Sequence, residues 1–113
     1  MNFDYKIQFN SKNQLIHLLN VESLKLEHID EIISLAEYYE NEKIKKFNDL
    51  NGKTIANLFF EPSTRTKTTF ELASKRLSAD FINIDVANSS TNKGESVLDM
   101  IKTLEAMNCD MFI

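Results

Sequence analysis

Apolar residues recur along this chain in two rhythms, and the rhythm changes at Asn51-Gly52. Upstream, Ile29, Ile32, Ile33 and Ala36 fall at i, i+3, i+4 and i+7, the spacing of one helix face, and predict a helix from Leu24 to about Tyr39. Ser23 stands where a cap is favoured, with Leu26 in the first turn. Residues 41–49 are charged and either extend this helix raggedly or loop. Nearer the start, Phe3, Tyr5, Ile7 and Phe9 alternate with polar residues, which permits a short strand or an arm.

Asn51-Gly52 itself is a turn signal. Thr54 to Phe60 is nearly apolar throughout, as a strand buried on both faces should be. Glu61-Pro62-Ser63-Thr64 breaks it, and a helix is predicted from about Thr66 to Leu77 with Phe70, Ala73 and Leu77 on its inner face. Asp80 to Val86 alternates like a second strand, and Asn88 to Gly94 is a polar loop. The next helix runs from Ser96 to about Met107 with Val97, Ile101 and Leu104 inward, and Ser96 with Asp99 makes a weaker form of the capping box. Asp110 to Ile113 begins a third strand. The fold class is therefore α/β: an N-terminal helix followed by a βαβαβ unit, which implies a parallel sheet with right-handed crossovers. Halting within an apolar strand would leave an open edge, so residues 1–113 are expected to be part of a larger domain.

A chain of 113 residues supports one small core, and 42% hydrophobic with 27% charged residues is ordinary for a soluble globular protein. Thirteen basic and seventeen acidic residues give a net charge of −4, which offers no footprint for nucleic acid or an anionic membrane. No signal peptide and no apolar run of membrane-spanning length is visible, so a cytoplasmic location is the expectation, and the formal sequon Asn88-Ser89-Ser90 carries no meaning. The single cysteine, Cys109, excludes an internal disulfide, and no Cys/His cluster has metal-ligand spacing. Cys109 opens an apolar stretch with neither His17 nor His28 near in sequence, and is read as a buried small hydrophobe rather than a nucleophile.

Ligands of open α/β sheets sit at the carboxyl ends of strands. Two polar loops hold that position, Glu61 to Thr66 and Asn88 to Glu95. The first leads straight into a helix, whose initial amides lack internal partners. Ser63, Thr64 and Thr66 add hydroxyls, Arg65 adds a guanidinium fork suited to two phosphate oxygens, and Pro62 stiffens the entry. Composition alone leaves open a hydroxyl-rich helix cap beside a solvated arginine. Gly52-Lys53-Thr54 imitates the end of a nucleotide-binding P-loop, but position 47 is Phe47 where glycine is required, and the triplet precedes a strand instead of opening a helix.

Phe59-Phe60-Glu61-Pro62-Ser63-Thr64-Arg65-Thr66, followed by Thr69-Phe70-Glu71, closely resembles the carbamoyl-phosphate signature of the aspartate and ornithine carbamoyltransferases. Ala73, Arg76-Leu77-Ser78-Ala79, Lys93-Gly94-Glu95-Ser96 with Asp99, and the earlier His17-Leu18-Leu19 also fit, so the resemblance runs from about His17 to Ile113. It implies that Ser63, Thr64, Arg65 and Thr66 bind the phosphate of carbamoyl phosphate, with Arg65 and Thr66 also near the carbamoyl or bridging oxygen. It further implies that the second loop enters a neighbouring subunit's active site in a homotrimer, with Ser89 and Lys93 at the positions that do so and Lys93 neutralising the departing phosphate. Glu61 and Glu95 are expected to hold their loops by pairing with basic side chains. Lys93-Gly94-Glu95-Ser96 and the Phe59-Phe60-Glu61-Pro62 lead look more like the aspartate than the ornithine enzyme. The implied reaction is carbamoyl transfer to L-aspartate in de novo pyrimidine synthesis, without cofactor or metal. The family continues well beyond Ile113 with a further arginine, a histidine and the aspartate-binding domain, so these residues alone are expected to be inactive. A short protein that binds phosphate-like ligands or associates with a full-length homologue is the alternative from another class.

Overall fold

A computed structural model of the chain describes residues 3–86 and 96–113. They form two compact units, residues 1–43 and 44–113.

The first unit is organised by polar side chains. Phe3 to Phe9 forms no strand: Tyr5–Gln8 is a single 3-10 turn, because the Asp4 carboxylate accepts the Lys6 amide at 3.0 Å and closes the backbone into a turn. Gln8 is fully buried, and its Oε1 accepts the amides of Leu19 and Asn20 while its Nε2 donates to Asn20 Oδ1 at 3.0 Å. Helix α1 covers Leu26–Asn41, two residues later at each end than its pattern indicates. Ser23 does not cap it, because the Ser23 amide is drawn into the preceding turn by Asn20 Oδ1. Lys25 is the N-cap, and its amide donates to His28 Nδ1 at 3.1 Å. That leaves the His28 Nε2–H to donate to the Asn13 carbonyl at 2.9 Å, and the ring stacks on Phe9. His28 is the buried residue of α1, whereas Ile32, Ile33 and Leu35 stay exposed. The apolar stripe of α1 is therefore not a buried core face within this unit.

The second unit is a three-stranded parallel sheet in the order β2-β1-β3, with β1 Thr54–Phe59, β2 Asp80–Asp85 and β3 Met111–Phe112. The crossover helices are α2, Thr64–Arg76, and α3, Val97–Ala106. In a parallel sheet with this order, right-handed connections leave on opposite faces. Packing agrees. On the α3 face, Ala56, Val86, Met100, Leu104 and Cys109 form the apolar core, with Leu58, Ile84 and Val97 beside them. Val97 and Leu104 face inward as expected of α3, but Met100 rather than the half-buried Ile101 completes that face, and Cys109 is buried as expected.

The α2 face differs from its pattern. The buried residue of α2 is Ser74, whose hydroxyl donates to the Phe70 carbonyl at 2.8 Å, and Lys67 and Glu71 are half-buried. Phe70 and Ala73 are exposed and Leu77 is half-buried. The reason lies in the strands: Asn57 and Asn83 are register partners on that side of the sheet, so the helix meets polar groups with polar groups.

Candidate functional site

The β1-to-β2 and β2-to-β3 connections run in opposite directions across the sheet, and the carboxyl end of the central strand β1 is where ligands of such open sheets sit. β1 ends at Phe59, and the chain passes through Phe60, Glu61 and Pro62 into Ser63, the N-cap of α2. The Ser63 carbonyl accepts the Lys67 amide at 3.0 Å, the first bond of the helical ladder. The helix therefore begins at Thr64 rather than Thr66, and Thr64, Arg65 and Thr66 are its first turn rather than loop. Their amides precede the ladder and project from the helix start.

Nothing neutralises that positive end from within α2. The Ser63 hydroxyl makes no capping bond, and the first turn contains no acidic residue. Ser63 is half-buried, while Thr64, Arg65 and Thr66 are exposed. Among the described residues Arg65 forms no ion pair, so its charge in the first turn is not neutralised there. Three amides, three hydroxyls and a guanidinium thus belong to four consecutive residues at the helix start, a composition suited to a multiply charged oxyanion.

Glu61 is exposed and forms no ion pair among the described residues. Ser89, Lys93 and Glu95 lie outside the described residues. Among the described residues there is no cluster of three His, Cys, Asp or Glu side chains able to hold a metal ion, and no helix is long and apolar enough to cross a membrane.

A parallel sheet whose central strand leads into an uncapped, basic helix start is an α/β domain with a candidate anion site at that helix start. Residues 16–113 match the family model of the carbamoyl-phosphate-binding domain of aspartate/ornithine carbamoyltransferases. The chain belongs to that family. The crystal structure of aspartate transcarbamoylase from Trypanosoma cruzi with aspartate and phosphate superposes with a TM-score of 0.72 at 34% identity, over 80% of this chain and 30% of that one. The same enzyme with carbamoyl phosphate and aspartate gives 0.71 and 36%, over 80% of this chain and 29% of that one. An N-acetyl-L-ornithine transcarbamylase structure gives 0.59 and 26%, over 87% and 27%. The chain thus spans under a third of the length of these relatives.

Proposed function

We propose that this chain is the carbamoyl-phosphate-binding portion of an aspartate carbamoyltransferase that makes N-carbamoyl-aspartate for de novo pyrimidine synthesis. The observation that carries the reading is the uncapped first turn of α2 with Arg65 beside it. Higher identity to the aspartate enzyme than to the N-acetylornithine enzyme supports aspartate as acceptor.

In the proposed reaction the α-amine of aspartate attacks the carbamoyl carbon. A C–N bond forms, the bond to the bridging oxygen breaks, and phosphate leaves with the electron pair and finally the amine's proton. Negative charge grows on the carbonyl oxygen and the leaving phosphate. The amides and hydroxyls of Ser63 to Thr66 and the Arg65 guanidinium are fixed donors for the phosphate, and Arg65 and Thr66 also serve the carbonyl oxygen. Lys93 and Ser89, supplied by a neighbouring subunit of a cytoplasmic homotrimer, complete the anion site and help phosphate depart. Holding both substrates in line supplies much of the remaining acceleration. The aspartate-binding groups belong to the rest of the enzyme, so the 113-residue chain alone binds but does not turn over.

The test is carbamoylation by the gene product isolated from its own cells, with aspartate, ornithine and N-acetylornithine as competing acceptors. Aspartate as the preferred acceptor is the expected result, and preference for either ornithine compound overturns the assignment. An intact mass well above 13.1 kDa accompanies the favoured reading. Turnover by the isolated chain would refute its proposed inactivity.

A further inference from the structure

The strand that delivers the chain to the anion loop and the helix that carries it away are joined by a line of polar side chains. Asn57, in the middle of β1, is fully buried between Ala56 and the half-buried Leu58. Its Nδ2 donates to Oδ1 of Asn83, its register partner on β2, at 3.0 Å. The Asn83 Nδ2 donates in turn to Glu71 Oε1 on α2. The other Glu71 oxygen lies 3.6 Å from Lys75 Nζ, one turn further along the helix.

Asn57 is a poor choice for stability. Its Oδ1 has no partner among the described residues, and a buried acceptor left unpaired weakens a fold. An aliphatic side chain would suit the core better. The α2 face, by contrast, needs direction. Lys67, Glu71 and Ser74 offer little apolar relief to interlock with the sheet, so hydrogen bonds must set where the helix points. We infer that Asn57, Asn83 and Glu71 form a polar staple that aims the first turn of α2 at its anion, making them positioning residues for Ser63 to Thr66. The inference rests on the reading of that turn as the phosphate site.

The test is titration of the chain with inorganic phosphate, following the backbone amide resonances of Thr64, Arg65 and Thr66, alongside urea unfolding. Asn57→Val is expected to keep or raise the urea midpoint while phosphate binds roughly tenfold more weakly, the loss of about one charge-assisted hydrogen bond. Glu71→Ala is expected to weaken phosphate similarly, although removing a negative charge would by itself tighten an anion. Glu71→Gln keeps the acceptor for Asn83 and is expected to restore affinity. Unchanged phosphate affinity in Asn57→Val and Glu71→Ala overturns the staple, even if their midpoints fall. Should Glu71→Ala fail to fold, Asn57→Val decides. Absence of amide shifts in the unsubstituted chain overturns the phosphate site itself, and the staple with it.

Discussion

Ser78 and Asn108 occupy the same place in two different helices. Each is the first residue beyond the C-cap, of α2 and α3 respectively, and each is left-handed, with φ of 67° and 66°. The Ser78 amide donates to the Lys75 carbonyl and the next amide, Ala79, to Ser74. Asn108 and Cys109 repeat this with Glu105 and Leu104. Both helices thus close by the same paired bonds, at a position where glycine is the unstrained residue.

Asn108→Gly is expected to raise stability by about 0.5–1 kcal/mol through relief of the left-handed strain. Ser78→Gly is expected to change it little, because the Ser78 hydroxyl also donates to the Phe47 carbonyl and that bond, worth about 1 kcal/mol, would be lost. Urea unfolding of the two variants checks the contrast. Equal stabilisation would mean the Ser78 hydroxyl contributes nothing.

Gln8→Ala is expected to destabilise the first unit by about 1–3 kcal/mol, since it strands the Leu19 and Asn20 amides that share Oε1. Hydrogen exchange gives the direct readout. Leu19 and Asn20 should lose protection, while β1 amides such as Ala56 should not. Unaltered exchange at both positions would contradict this account of the unit.

Arg65→Ala, made in the complete enzyme, is expected to weaken carbamoyl phosphate by at least roughly a hundredfold, the scale of two charge-assisted hydrogen bonds. Arg65 is exposed and makes no ion pair among the described residues, so the thermal midpoint should stay put. Calorimetric titration showing wild-type affinity would remove Arg65 from the site.

Lys93→Gln is expected to lower turnover far more than it disturbs folding, because the substitution keeps a polar side chain but deletes the charge proposed to meet phosphate. Steady-state rates with matched unfolding curves decide it. Full activity would take Lys93 out of the reaction.

The sheet unit was legible because its strands carry strand rhythms bounded by turn residues, a nearly apolar run from Thr54 through Phe60 and an alternation from Asp80 through Val86. Ser63 to Thr66 were legible as a candidate anion segment because hydroxyls and an arginine stand together after a strand. The inner face of α2 was not. An apolar pattern points to Phe70 and Ala73, but Ser74 is the buried residue of the helix and the half-buried Glu71 accepts from Asn83, and no rhythm of hydrophobicity marks a polar interface. Gln8 and His28 escaped for a related reason. Their burial depends on backbone amides and carbonyls at Leu19, Asn20, Lys25 and Asn13 that become partners only once the loop has closed. Of the short strand or arm that the alternation from Phe3 to Phe9 permits, the strand is not formed, and the Lys6 amide bonds to Asp4 in a local turn instead.

The central place of β1 has a consequence for synthesis on the ribosome. Its partner on one side is Asn83 and its neighbours, 26 residues downstream of Asn57, whereas the bond from Thr54 to Asp110 spans 56. At about 5–20 residues per second, the nascent chain spends a few seconds with β2 in place and the other side of β1 still waiting. During that interval Ile55 and Ala56, among the most deeply buried residues of the finished unit, border an unpaired strand edge. The order of translation thus opens a window in which a chaperone or a second nascent chain competes with β3 for the same row of backbone amides.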